Sequence, residues 1–124
     1  MTPTFEEVGD MLDEIVHGMP EDIFVLLNGG VNLLPDVKFH PESRSGDLYI
    51  LGEYLHNNIG RYINVYYGSL VGAYPYMPPE QLKTRIAELV KHEFTHHLES
   101  LAGEKELEIK DTIDIEKYKR RRRK

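Results

Sequence analysis

The segment spanning residues 79–101 constrains the fold most, because its apolar residues recur with the period of an α-helix. On a helical wheel of about 100° per residue they form one stripe. The members of this stripe are Leu82, Ile86, Leu89, Val90, Phe94, His97, Leu98 and Leu101. We expect the helix to begin at Pro79 and to end at Gly103, since glycine is a common helix terminator. A stripe of this length must pack against a second layer, which we expect to be a sheet.

The residues before this helix predict the remaining elements. Thr4 and Glu7 have the spacing of a capping box that opens an amphipathic helix, and Gly18 ends it. Residues 20–27 predict a second, short helix. Four extended segments follow: residues 31–34, 37–39, 48–54 and 62–67. Residues 69–78 read as a connecting loop. We therefore predict an α+β fold in which a small mixed or antiparallel sheet packs on the long helix, with helices at the N-terminal end.

Length and charge narrow the possible functions. The 124 residues suit one domain, which we assign to residues 1–118, followed by a basic tail at 119–124. Without the six basic residues of that tail, nine Lys and Arg stand against 21 Asp and Glu. A body this acidic predicts that nucleic acid is not a partner except through the tail. No membrane-spanning run and no secretory signal pattern are present, so a cytoplasmic protein is expected.

The chain has no cysteine, so a transition metal would have to be bound by histidine and carboxylate groups. His92, Glu93 and His96 form the pattern HExxH on the long helix. Histidines four residues apart project to the same side and can hold one Zn²⁺ at about 2.0–2.1 Å. The glutamate between them can take a proton from a water on the metal.

Glu93 also falls inside the apolar stripe, where an unpaired carboxylate is costly. A purely structural helix would avoid that position, which favours a metal site. The alternative is a pair of surface histidines beside a hydrogen-bonded glutamate.

A catalytic zinc site normally has a third protein ligand. We favour Glu104, because a chain that leaves the helix at Gly103 can turn back toward the metal. Glu99, three residues after His96, is the alternative on the same helix flank. More remote candidates are Glu106, Glu108 and Asp111.

His97 points into the middle of the apolar stripe, away from His92 and His96. We expect a buried histidine that donates a ring N–H to a backbone carbonyl or a carboxylate. One of the tyrosines could stabilise an oxyanion, but the sequence does not select which.

The run His92-Glu93-Phe94-Thr95-His96-His97 resembles the HExxHH signature of the small bacterial zincin-like metallopeptidases. The acidic opening helix, the strand at residues 48–54 and a second strand ending in Tyr66-Tyr67-Gly68 follow in the expected order. The resemblance covers residues 4–112. It implies a minimal zincin fold, with zinc between a small sheet and the active-site helix, and hydrolysis of peptide bonds. Many relatives place an aspartate ligand six residues after the second histidine, where this chain has Ala102, and a two-residue insertion would bring Glu104 to that place.

Two functions from different classes follow. The first is a zinc metallopeptidase whose peptide or protein substrate adds as a strand to a sheet edge at residues 48–54 or 31–34. The second is a binding module stabilised by metal, in which Glu99 and Glu104 both bind and close the site. A weaker third hypothesis is nucleic-acid binding through residues 119–124.

Overall fold

The computed structural model describes residues 2–44, 46 and 48–122, with side chains described as far as Lys105. The described helices are α1 (Phe5–His17), α2 (Tyr67–Ala73) and α3 (Pro79–Arg122), with a 3₁₀ turn at Glu21–Phe24. The described strands are β1 (Val31–Leu34), β2 (Gly52–Asn57) and β3 (Gly60–Tyr66). The predicted α+β class is confirmed.

The three strands form a mixed sheet in the order β1-β3-β2. β1 runs parallel to β3, with Val31 opposite Ile63. β2 runs antiparallel to β3, with Tyr54 also opposite Ile63. A two-residue turn joins β2 to Gly60, whose φ of 135° is a conformation that glycine tolerates. β1 and β2 are therefore the two edges of the sheet.

The core lies between this sheet and the helices. α1 contributes Val8 and Leu12, and its predicted capping box is present, with reciprocal hydrogen bonds between Thr4 and Glu7. The predicted stripe of α3 supplies half of the rest, although its member Leu98 is exposed. The fully or almost fully buried apolar side chains of β3, α2 and α3 are Ile63, Val65, Leu70, Leu82, Ile86, Val90 and Phe94. Burying such side chains stabilises the fold by about 1.5–3 kcal/mol each before entropy is counted.

Several predicted boundaries were wrong. Residues 37–39 form no strand and contribute only an isolated bridge between Phe39 and Tyr49. The strand predicted from residue 48 begins at Gly52. The predicted loop after β3 begins instead with helix α2. Ser69, which lies in α2, ties this helix to the segment after β1, because its Oγ accepts from the Lys38 backbone N–H at 2.8 Å and donates to the Lys38 carbonyl at 3.1 Å.

The prediction that the long helix ends at Gly103 was wrong. Helix α3 continues to Arg122. Its 44 residues correspond to roughly 66 Å of helix. A glycine within a helix costs only about 1 kcal/mol relative to alanine, and its neighbours Glu104 and Lys105 are good helix formers. The backbone of residues 119–122, the first part of the basic tail, thus belongs to α3. Residues 123 and 124 lie outside the described residues. Despite this length, the described part of the chain holds no helix apolar enough along its length to traverse a membrane.

Candidate metal centre

Helix α3 brings His92 and His96 together on its exposed side. Their Nε2 atoms lie 3.1 Å apart, and the ring planes are inclined by 85°. A zinc ion about 2.0–2.1 Å from both nitrogens would then subtend an N–Zn–N angle of roughly 95–100°, close to tetrahedral. The two side chains therefore fit a shared divalent metal.

Glu93 lies between the two histidines in sequence but points inward, and it is only 6% exposed. Burial raises the pKa of its carboxyl group above the ordinary value. Positive charge on His92 and His96 and a hydrogen bond from the Tyr54 backbone oppose that rise. A buried carboxyl group with a raised pKa, next in sequence to a candidate metal ligand, is suited to proton transfer.

The Tyr54 backbone reaches Glu93 because of the hydrogen-bond register of β2. The Tyr66 N–H donates to the Leu51 carbonyl at 2.9 Å, so Leu51 directs its backbone groups toward β3. In an antiparallel ladder the direction alternates from one residue to the next. Gly52, Tyr54 and His56 therefore direct their N–H and C=O groups away from β3, at the outer edge of β2.

Gly52 lets α3 lie close to this edge. A Cβ atom at Gly52 would stand 2.9 Å from the Asn64 carbonyl oxygen and 3.2 Å from Cδ2 of Leu89. Leu89 lies one helical turn before Glu93. The absence of a side chain at Gly52 thus sets the distance between the sheet edge and the candidate centre.

His97 is fully buried, as predicted, and does not join the pair. Its Nε2 lies 2.8 Å from the Val25 carbonyl and its Nδ1 lies 2.9 Å from the Tyr54 hydroxyl. A carbonyl can only accept, so Nε2 carries the hydrogen, and the Tyr54 O–H donates to Nδ1 of the neutral ring. His97 therefore ties α3 both to β2 and to the segment before β1.

Arg61 is the second buried polar side chain behind the site, at 5% exposed. Its Nη1 donates to the Tyr54 hydroxyl at 2.7 Å and to Ser100 Oγ at 2.6 Å. Its Nη2 lies 2.6 Å from Glu104 Oε1, an ion pair without a well-directed hydrogen bond at that nitrogen. His56 Nε2 is 3.8 Å from the same carboxylate oxygen. Glu104 thus neutralises a buried cation.

The structure does not place Glu104 beside the two histidines. The reason for expecting it there was a helix that stops at Gly103. On the continuous helix, Glu104 lies about 12 Å along the axis from His96. Its carboxylate is directed to Arg61 instead.

Glu99 Oε2 lies 3.7 Å from Nδ1 of His96, which is the nitrogen that faces away from His92. In that position Glu99 is suited to orienting the His96 ring through Nδ1, and not to binding a metal held by the Nε2 atoms. The side chains of Glu106, Glu108 and Asp111 lie outside the described residues. Among the side chains that are described, no three His, Cys, Asp or Glu groups converge in a way that would hold a metal ion.

A pocket of about 200 Å³ opens beside His92, and sequence reasoning missed it. Its lining consists of Leu51, Arg85, Glu88, Leu89 and His92. Three of these residues stand seven, four and three positions before His92, so they share its helix flank. That spacing was available in the sequence as a signal. The contribution of Leu51 was not, because it depends on how β2 packs on α3.

The chain is similar to the solved structure of a conserved hypothetical protein from Thermo thermophilus. The two sequences are 32% identical, the match covers 81% of this chain and 98% of that chain, and the TM-score is 0.69. The description of that protein names no activity and no metal. No known protein-family description and no curated protein matches the chain. Identity at this level over almost the whole of the solved chain means that this protein belongs to the same family as the Thermo thermophilus protein.

Proposed function

We propose that the protein is a zinc-dependent metallopeptidase in which His92 and His96 bind the metal and Glu93 is the general base. The observation that carries this proposal is the 3.1 Å separation of the two exposed Nε2 atoms, on a helix whose buried Glu93 carboxylate is under the electrostatic influence of both rings. Two aligned imidazoles without that carboxylate would favour simple metal binding. The buried carboxylate adds a group that can move a proton.

When bound, zinc supplies a Lewis acid that polarises a carbonyl group and lowers the pKa of water toward neutrality. The chain supplies the rest. Glu93 takes a proton from the attacking water and delivers it to the leaving amine. The hydrogen bond from the Tyr54 backbone holds the carboxylate in one orientation while it does so.

An extended peptide is the substrate that this surface suits. Within the described sheet, the outer edge of β2 pairs with no other strand and runs beside Glu93. The outward backbone groups of Gly52 and His56, and the outward carbonyl of Tyr54, can pair with a peptide that adds as a further strand. The other edge, β1, is separated from this site by β3, so β2 is the better of the two edges considered from sequence.

We also propose that Glu104 is not the third metal ligand. Binding by Glu104 would require α3 to break near Gly103 and would leave Arg61 with an unpaired buried charge. The pairing of Glu104 with Arg61 favours a site in which the two histidines bind the metal without it. A closed module that uses both Glu99 and Glu104 would require the same rearrangement at Glu104 and has less support.

Mass spectrometry of a peptide library incubated with the zinc-loaded full chain tests the activity. Glu93→Gln keeps the shape of the side chain and removes the base, so hydrolysis should fall by about 10²–10⁴-fold. Bound zinc, measured by elemental analysis, should stay at the wild-type level. Glu80→Gln makes the same exchange at an exposed site in the first turn of α3 and should change neither quantity. Hydrolysis that survives in Glu93→Gln with zinc still bound would exclude Glu93 as the base.

A further inference from the structure

We infer that the protein removes one or two residues from the carboxyl end of a peptide, rather than cutting inside a chain. This inference rests on the proposed function and names the substrate class of the same site, a peptide with a free terminal carboxylate. The structural reason is that the outer edge of β2 is blocked just before the strand begins. The blocked end is the one that the carboxyl end of an antiparallel peptide would approach.

Residues 38–40 form the blocking segment. The Ile50 N–H donates to the Lys38 carbonyl, and the His40 N–H donates to the Leu48 carbonyl, both at 2.8 Å. These two bonds flank an antiparallel bridge formed by the residues between them. The blocking segment therefore runs beside the residues that lead into β2, as a neighbouring strand would.

The blocking segment lies on the side of β2 that the substrate peptide would use. Leu51 directs its carbonyl to β3, and the direction alternates along an antiparallel strand. Ile50 and Gly52 therefore both direct their backbone groups to the outer side. A peptide that pairs with Gly52 would meet the blocking segment at the position facing Ile50.

Contacts with α2 hold the blocking segment in place. The Oγ atom of the fully buried Ser69 bonds to both the N–H and the carbonyl of Lys38. A Cβ atom at Gly68 would stand 2.5 Å from Val37 Cγ2 and 2.8 Å from the Asp36 carbonyl oxygen. The chain before Lys38 thus packs tightly against the start of α2, and a peptide would have to break these contacts to displace it.

The length of the open edge sets the number of residues released. Glu93 contacts the Tyr54 backbone, which is four residues or about 13 Å of strand from Ile50. Antiparallel pairing is the slightly more stable direction, and in it the peptide residues nearer Ile50 come later. Lys38 fills the position facing Ile50, and by the same register the residue before it fills the next. One or two peptide residues therefore fit after a scissile bond beside Glu93.

Hydrolysis at that bond consumes one water. Its hydroxyl group completes the new carboxyl group of the shortened peptide. Its proton passes through Glu93 to the amine of the released amino acid or dipeptide.

Lys38 supplies a cation for the terminal carboxylate at the blocked end. Its side chain is 44% exposed, and its Nζ lies 2.7 Å from Glu53 Oε2, which also accepts from the Tyr66 hydroxyl at 2.6 Å. The bond to Glu53 raises the pKa of Lys38, which keeps the charge in place. An ammonium group has three N–H donors, so it can bind a second carboxylate without losing Glu53. A peptide amino terminus would be repelled by the same cation, which also favours the antiparallel direction.

Peptides that differ only at the carboxyl end test the inference on the zinc-loaded full chain. We expect the free acid to lose one or two residues from that end, and the amide to be cleaved with a kcat/KM at least about tenfold lower. Lys38→Met should lower kcat/KM for the acid by about tenfold, mainly through KM, and bring the ratio of acid to amide close to one. Lys38→Arg should keep the preference for the acid. Lys83→Met removes a similarly exposed lysine that pairs with Glu14 and should leave the wild-type ratio intact.

The products separate failure of this inference from failure of the proposed function. Glu93-dependent cleavage at internal bonds, equal for acid and amide, would overturn the inference and leave the proposed function standing. Absence of Glu93-dependent cleavage from every peptide would overturn both. Calorimetry with the zinc-loaded Glu93→Gln chain checks recognition without turnover. The acid should bind at least about tenfold more tightly than the amide, and equal affinities would also overturn the inference.

Discussion

Removing the hydroxyl group of Tyr54 tests whether the buried polar contacts behind the site stabilise the fold. In Tyr54→Phe, Nδ1 of His97 loses its hydrogen-bond donor, and the site is too enclosed for water to reach a fully buried ring easily. Arg61 Nη1 loses one of its two acceptors but keeps Ser100. The backbone N–H of Tyr54 that contacts Glu93 is unchanged.

The magnitude follows from these two losses. An acceptor left unpaired in a buried site costs about 1–3 kcal/mol. The charged Arg61 loses only part of its compensation, so we expect a total loss of about 2–3 kcal/mol in the free energy of unfolding. For a chain of 124 residues this corresponds to a fall in Tm of roughly 6–12 °C.

Urea unfolding followed by circular dichroism gives the free energy directly. Tyr62→Phe is the matched control, because among the described side chains the Tyr62 hydroxyl on the neighbouring strand accepts from the exposed Asn57 amide alone, at 2.9 Å. We expect that control to lose less than about 0.5 kcal/mol. Equal losses for the two variants, with unchanged m-values, would refute the view that the Tyr54 hydroxyl satisfies buried partners.

Three further results are expected. Gly52→Ala should destabilise the fold by about 1–3 kcal/mol and weaken peptide hydrolysis, because its methyl group would press on the Asn64 carbonyl oxygen in the sheet and on the Leu89 side chain of α3. Thermal unfolding and the cleavage assay check this. Glu104→Gln should leave zinc affinity within about threefold in a competition titration while lowering Tm, since its partner is Arg61; a loss of more than about 100-fold would instead make Glu104 a metal ligand. Burial raises the pKa of Glu53, but hydrogen bonds from Lys38 and Tyr66 outweigh it and hold that pKa below its ordinary value. The stabilisation of the fold by ionised Glu53 is therefore complete above about pH 5 and is lost as the pH falls and the carboxylate protonates. Glu53→Gln should make the free energy of unfolding depend less steeply on pH in that acidic range. Urea unfolding from about pH 3 to 7 measures this dependence.

The features that could be predicted from the sequence depend on residues a few positions apart in one helix. The apolar stripe of α3, the capping box of α1 and the alignment of His92 with His96 all follow from the period of 3.6 residues. The inward position of Glu93 follows in the same way. Such local geometry holds whatever the helix packs against.

The features that were missed depend on contacts between segments distant in sequence, or on the summed helix propensity of several neighbouring residues. Helix α2 is supported by the bonds of Ser69 to the backbone of Lys38, which no local pattern contains. The pocket beside His92 needs Leu51 from the strand side. Gly103 is a helix terminator in many proteins, but here good helix formers on both sides outweigh one unfavourable residue.

The continuity of α3 also bears on how the candidate centre can work. Arg61 is almost completely buried, and a buried charge that loses its partner destabilises a protein by about 3–5 kcal/mol. Any zinc site that recruits Glu104 must offset that cost as well as the cost of breaking the helix. A site that uses only the two histidines of the pair incurs neither, and it leaves more of the coordination sphere open to water and substrate. Within the proposed function, the contact between Arg61 and Glu104 thus favours a centre that does not use Glu104 and keeps a coordination position open to water, as hydrolysis requires.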